Sequence, residues 1–232
     1  MRKIYKKLVS LVCATMFTAT TVIAAEGLGV GVIISSSTFD TSGSEYENGE
    51  LTKTTHSNDV EFPSLFIEYK SPQMGAFSLT AGIEALPGSA SLGSKQRTDT
   101  TTDGNESDQD DKTYTAKAEV EDYWGIYFEP TFALSDEVGF YLKGGVSTLT
   151  VVTLEDISSG TDSSTYGNET ILGGTYGFGV TGDLGAEGAY FKLEYAKTEY
   201  EPVKFTSTSG NGTIIKADTE QEAIRLAIGY NF

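Results

Sequence analysis

Apolar and small or polar residues alternate without a break over the last nine positions of the chain. Ile224, Leu226, Ile228, Tyr230 and Phe232 share one face, and Arg225, Ala227, Gly229 and Asn231 the other. A period of two excludes a helix and defines a strand with one greasy side. The same period recurs upstream over about 27–39, 60–70, 76–87, 117–134, 140–155, 174–184 and 189–202, and the last strand extends back to about 214. Eight amphipathic strands must bury one face and satisfy both edges, so the pattern constrains the fold more tightly than any motif does.

The connections alternate in length. Ser71 to Gly75, Ser135 to Gly139 and Gly185 to Gly188 are short turns rich in Gly, Pro, Ser and Asp, while about 40–59, 88–116, 156–173 and 203–213 are long and polar. Three short and four long connections in strict alternation give an eight-stranded up-and-down meander. Its short turns lie at the end that holds both termini. The expected fold class is therefore all-β, an antiparallel up-and-down barrel.

The N-terminus predicts the compartment. Arg2, Lys3, Lys6 and Lys7 precede an apolar run from Leu8 to about Ile23, and Val22-Ile23-Ala24-Ala25 supplies small residues before Glu26. That is the layout of a secretory signal peptide over 1–25, leaving one domain over 26–232. Export would remove Cys13, the one cysteine, and with it any disulfide or thiol chemistry. It would also leave 12 basic against 33 acidic residues, a net charge near −21 that excludes nucleic acid as a partner.

A closed meander can enclose its apolar face, as a soluble barrel does, or turn it to lipid. The aromatic residues decide. Tyr69, Phe77, Phe132, Phe140, Phe191, Tyr230 and Phe232 all fall on the apolar face near the short-turn end, where they would form a girdle at a membrane interface. Trp124 to Phe132 spans about 20 Å along the membrane normal for a strand tilted near 45°, close to the roughly 25 Å apolar band of such barrels. The prolines Pro63, Pro87 and Pro130 each imply a lost ladder bond or a bulge, and Pro130 falls inside the apolar band.

The opposite face carries Glu68, Glu84, Glu129, Lys143, Asp183, Lys192, Glu194 and Arg225 among many glycines. In an eight-stranded barrel side chains fill the interior, and desolvated charges there must pair. Glu129 and Lys143 are nearly equidistant from the turn joining their strands, and Glu194 and Arg225 lie at similar depth on neighbouring strands. These pairs can form a static plug or a gate that rearranges to pass water or small ions.

Other chemistry is sparse. His56 lies in a long connection beside Ser57 and Asp59, which is composition without the geometry of a triad. The acidic stretch 103–111 lacks the spacing of a calcium loop. Asn105-Glu106-Ser107 and Asn168-Glu169-Thr170 match a glycosylation pattern too short to carry a site by itself. Lys197, outward near the long-loop end, could meet lipopolysaccharide phosphate. No cofactor, metal site or catalytic residue is expected.

The whole mature chain resembles the small eight-stranded outer-membrane barrels of Gram-negative bacteria, the OmpA-like and OmpX-like group. Gly27-Leu28-Gly29-Val30-Gly31-Val32, Trp124-Gly125-Ile126-Tyr127-Phe128-Glu129-Pro130, Phe178-Gly179-Val180-Thr181-Gly182 and Leu226-Ala227-Ile228-Gly229-Tyr230-Asn231-Phe232 carry the likeness. The resemblance implies periplasmic termini and turns, extracellular loops, and a monomer surrounded by outer-membrane lipid and lipopolysaccharide. It also implies that Ile224, Leu226, Ile228, Tyr230 and Phe232 act as an insertion signal for the barrel assembly machinery. A periplasmic wall-binding domain is not implied, because the chain ends on its last strand. The expected role is structural or surface interaction through acidic loops whose target the sequence does not name. A narrow porin-like pore is the alternative, and a lipid-modifying enzyme a remote one.

Overall fold

The computed structural model describes residues 27–47, 49–99, 112–156, 166–208 and 212–232. The expected signal peptide and the acidic stretch 103–111, with Asn105-Glu106-Ser107, lie outside the described residues. Ten strands run in chain order: β1 (Leu28–Glu47), β2 (Glu50–Lys70), β3 (Phe77–Ala85), β4 (Ala90–Asp99), β5 (Lys112–Ala133), β6 (Val138–Asp156), β7 (Glu169–Asp183), β8 (Ala189–Tyr200), β9 (Val203–Thr206) and β10 (Ile214–Asn231). All neighbours pair antiparallel, and β1 pairs with β10 from Gly29↔Asn231 to Tyr46↔Ile214, which closes the ring. Eight strands form the closed wall. β3 and β4 are two parts of one wall strand along β5, and β9 folds back onto β10.

Alternation fixes which face meets which medium. Ile34, Ile67, Ile83, Phe128, Leu142, Phe178, Leu193, Leu226 and Ile228 are exposed on the outer wall, while Ser35, Glu68, Glu84, Tyr127, Tyr141 and Glu194 are buried inside. Glycines make room for the rings in the lumen. A Cβ at Gly82 would collide with the Tyr127 ring, and one at Gly229 would collide with the Tyr190 ring.

The structure changes the expected connections. The connection expected over about 40–59 is strand on both sides: β1 and β2 stay in continuous register from Leu28↔Tyr69 to Glu47↔Glu50. Likewise β4 pairs with β5 as far as Asp99↔Lys112, and β9 with β10 over Val203–Thr206. Strand bonding persists there although the residues are polar on both faces, because ladders are made by backbone and need no apolar stripe. The wall thus continues beyond the apolar band as an extended sheet.

Local irregularities mark the prolines and a bulge. The β2–β3 ladder stops at Leu65↔Ala85, two residues short of Pro63 and Pro87. Pro130 pairs with Leu79 of β3, but the β5–β6 register skips from Phe128↔Gly144 to Thr131↔Tyr141, so the donor that proline lacks is missing on the β6 side. A register shift between Glu121 and Trp124, with Asp122 at a φ of 50°, switches faces on β5. Val120, which strict alternation from Trp124 would put on the outer wall, is consequently buried; Val152 of β6, in step with outward Leu142 and Val146, is buried as well.

Candidate functional site

The lumen at membrane depth holds a single chain of ion pairs whose signs alternate. Lys192 donates from Nζ to Glu68 Oε2 and to Glu129 Oε2, each at 2.6 Å. Lys143 Nζ lies 3.4 Å from Glu129 Oε1 and donates to both oxygens of Glu194 at 3.1 and 3.0 Å. Arg225 Nη1 donates to Glu194 Oε1 at 2.9 Å, and its Nη2 pairs with Glu84. The order is therefore Glu68, Lys192, Glu129, Lys143, Glu194, Arg225, Glu84, contributed by β2, β3, β5, β6, β8 and β10.

Hydroxyls complete the carboxylate shells. Tyr127 and Tyr190 donate to Glu68 at 2.7 Å each, Tyr141 to Glu194 at 3.0 Å and Ser64 to Glu84 at 2.6 Å. Lys143 also sits 4.1 Å from the Tyr127 ring centroid. All seven ladder residues are buried, and the reciprocal pairing is what makes so much buried charge tolerable. Asp183, expected in this network, is exposed instead. It is the last residue of β7, at the short-turn rim, where water solvates it and no buried partner is required.

Above the ladder a polar layer and then an apolar one follow. Tyr200 donates to Gln221, which donates to Ser37; burial pushes the Tyr200 phenol up from its ordinary range. Phe39, Val60, Phe62, Leu86, Ala90, Val120, Leu149, Ile171, Val203 and Phe205 then pack into one cluster across the wall. β9 supplies Val203 and Phe205, and the Tyr166 ring stacks edge-on against Phe205 with centroids 6.3 Å apart.

Past the short-turn end the voids along this axis are small. A cavity of about 110 Å³ opens at the short-turn end and stops at Glu129 and Lys192. The next, among Glu129, Lys143, Lys192 and Arg225, is about 10 Å³, and the one above Arg225 and Glu84 is about 20 Å³. One water needs roughly 10–15 Å³, so each of these inner voids is of single-water size. The described lumen is closed twice, by the ladder and by the apolar cluster.

On the outer wall, Tyr69, Phe132, Phe140 and Tyr230 are exposed near the short-turn end, with Phe77, Phe191 and Phe232 partly so. Phe77 and Phe132 meet edge-on at 5.7 Å, as do Tyr230 and Phe232 at 5.3 Å. Trp124, eight residues from Phe132 on β5, lies toward the opposite margin of the band. Tyr176 of β7 and Tyr195 of β8 add further aromatics to the outer wall. Lys197 just beyond is bound by Glu220 at 2.6 Å and Glu222 at 3.7 Å. The hydrogen bond to Glu220 holds its ammonium above the ordinary lysine range, and both carboxylates compete with any phosphate.

His56 is exposed on β2, in register with Thr41, and among the described residues no group of His, Cys, Asp and Glu is placed to hold a metal ion. Asn168 and Glu169 are exposed at the start of β7.

Ring closure, an apolar outer wall edged by aromatics and a charged lumen define the class: this is the architecture of a small eight-stranded outer-membrane β-barrel. No protein-family model matches the chain, and no curated protein does. Solved structures similar to it include the outer membrane protease OmpT from Escherichia coli (9% identity, covering 92% of this chain and 100% of that one, TM-score 0.46). Neisserial surface protein A is similar at 11% identity, 89% and 97% coverage and a TM-score of 0.43. The outer membrane protein OprG from Pseudomonas aeruginosa follows at 13%, 91% and 100%, and 0.39. At such identities the likeness says nothing about activity.

Proposed function

We propose that this chain is an outer-membrane protein, exported through residues 1–25, whose sealed barrel serves as a rigid mount for an extracellular sheet that contacts the surroundings. The single observation that supports this reading most is the double closure of the lumen. A solute path would have to break the Glu68–Glu84 ladder and then displace Phe62, Leu149, Phe205 and their neighbours. Meanwhile β1 and β2 run roughly 13 residues, about 40 Å of strand, past Ile34 and Pro63.

In this reading the short turns and both ends of the chain face the periplasm. Tyr69, Phe77, Phe132, Phe140, Phe191, Tyr230 and Phe232 sit in the inner headgroup layer. The Ile224, Leu226, Ile228, Tyr230, Phe232 face is what the assembly machinery reads, and the barrel works as a monomer among lipid and lipopolysaccharide. In this reading the protein is not an enzyme, and His56 is one exposed residue of the extracellular sheet.

Planar-bilayer conductance of the refolded protein tests the sealed lumen. Wild type should show no channel events, and regular openings in it would overturn the proposal in favour of the pore. Shortening the β1–β2 hairpin beyond Asp40 and Ser57 should abolish binding to whole cells or matrix while heat-modifiable migration persists. Unchanged binding would count against the display role.

A further inference from the structure

The ladder does not balance. It holds four glutamates, Glu68, Glu84, Glu129 and Glu194, but only Lys143, Lys192 and Arg225 to neutralise them. The hydrogen bonds locate the surplus. Glu68 accepts three, from Tyr127, Tyr190 and Lys192. Glu194 accepts four, from Tyr141, Arg225 and twice from Lys143. Glu84 takes Ser64 and is paired with Arg225.

Glu129 has one short bond, from Lys192 to Oε2, and Lys143 stands off its Oε1 at 3.4 Å while bonding both oxygens of Glu194. Each cation it meets is shared with a better-solvated carboxylate. The charged and titratable groups around it are Glu68 from β2, Lys143 and Tyr141 from β6, Lys192, Glu194 and Tyr190 from β8, Arg225 from β10 across the inner void, and Tyr127 of its own strand. Arg225 is the one further cation among them, and it is engaged by Glu84 and Glu194. Glu129 is also only 1% exposed, where an unmatched carboxylate is costly.

Position gives it access from one side. Glu129 lines both the 110 Å³ cavity at the short-turn end and the 10 Å³ void behind it. Next to it, the β5–β6 ladder is interrupted at Pro130. We propose that Glu129 is a proton-binding site at the floor of that cavity, filled from the short-turn side. A proton on Oε1 leaves three carboxylates facing three cations, and it accounts for the long Lys143 contact, since a protonated Oε1 is a poor acceptor for an ammonium. Because the apolar cluster seals the other end, the charge of the lumen follows the pH of one compartment only.

Infrared spectroscopy of the refolded full barrel with ¹³C-labelled glutamate tests this. Wild type at neutral pH should show one carboxylic-acid carbonyl band that shifts with the label and in D₂O. Glu129→Gln should lack it; Glu129→Asp, which keeps the charge count, should lose the shift with the glutamate label, and Glu68→Asp, Glu84→Asp and Glu194→Asp should keep that shift. The wild-type spectrum needs no variant to fold: absence of the band overturns the proposal, as does its survival in Glu129→Gln or a label shift that is lost in Glu84→Asp and kept in Glu129→Asp. A missing band together with a thermal midpoint raised by sodium or potassium in wild type but not in Glu129→Gln assigns the site to a metal ion and overturns the proton.

Discussion

Removing Glu194 should damage the barrel more than any other single ladder substitution. Its two oxygens receive Lys143 at 3.1 and 3.0 Å, Arg225 at 2.9 Å and the Tyr141 hydroxyl at 3.0 Å. In Glu194→Ala, Lys143 keeps only the 3.4 Å contact with Glu129, and Arg225 only Glu84. Stripping one partner from a buried ion pair costs about 3–5 kcal/mol, and the orphaned Tyr141 hydroxyl adds about 1 kcal/mol. The expected loss is about 4–6 kcal/mol. Urea unfolding of the refolded protein in micelles measures it, with Trp124, the chain's one tryptophan, as the fluorescent reporter. Arg225→Ala with Glu194→Ala should then cost less than the two single changes together, by roughly 0.5–3 kcal/mol, because the second change removes a cation already short of a partner. A Glu194→Ala loss below about 0.5 kcal/mol with strict additivity would mean that the ladder carries no coupling energy, contrary to this reasoning.

Three further outcomes are expected. Gly82→Ala should tip the Tyr127 ring and break its bond to Glu68, lowering stability by about 1–3 kcal/mol in the same urea assay; an unchanged midpoint would show the ring has room to give. Pro130→Ala restores a donor on the β6 side and should raise stability by roughly 0.5–1.5 kcal/mol. Phe205→Ala leaves a void in the apolar cluster worth about 3–5 kcal/mol, and limited proteolysis should show faster cutting at the long-loop end while the membrane-spanning part stays protected.

Much of the wall was legible because a strand with one face in lipid cannot hide its period. Ile224 to Phe232 and Trp124 to Phe132 read directly as outer-wall segments. Counting residues from turns brought Glu129 to Lys143 and Glu194 to Arg225, since antiparallel register follows from the hairpin. Lys192 bridging Glu68 and Glu129 was not legible, because those residues sit on strands far apart in the ring and meet only across the lumen. The same holds for the Tyr127, Tyr141 and Tyr190 hydroxyls. The β1–β2 extension escaped notice because Thr, Ser and Asn on both faces erase the alternation that betrays a strand. Val120 lies one face off the alternation because the bulge at Asp122 has no marker in the residues around it.

Trp124 also offers the most direct test of the whole account, since its ring stands on the outer wall, 48% exposed. With the protein refolded into vesicles, lipids brominated on the acyl chain should quench its fluorescence strongly, and aqueous iodide should not. Efficient iodide quenching with no effect of the brominated lipids would put the apolar face out of contact with the membrane and contradict the account.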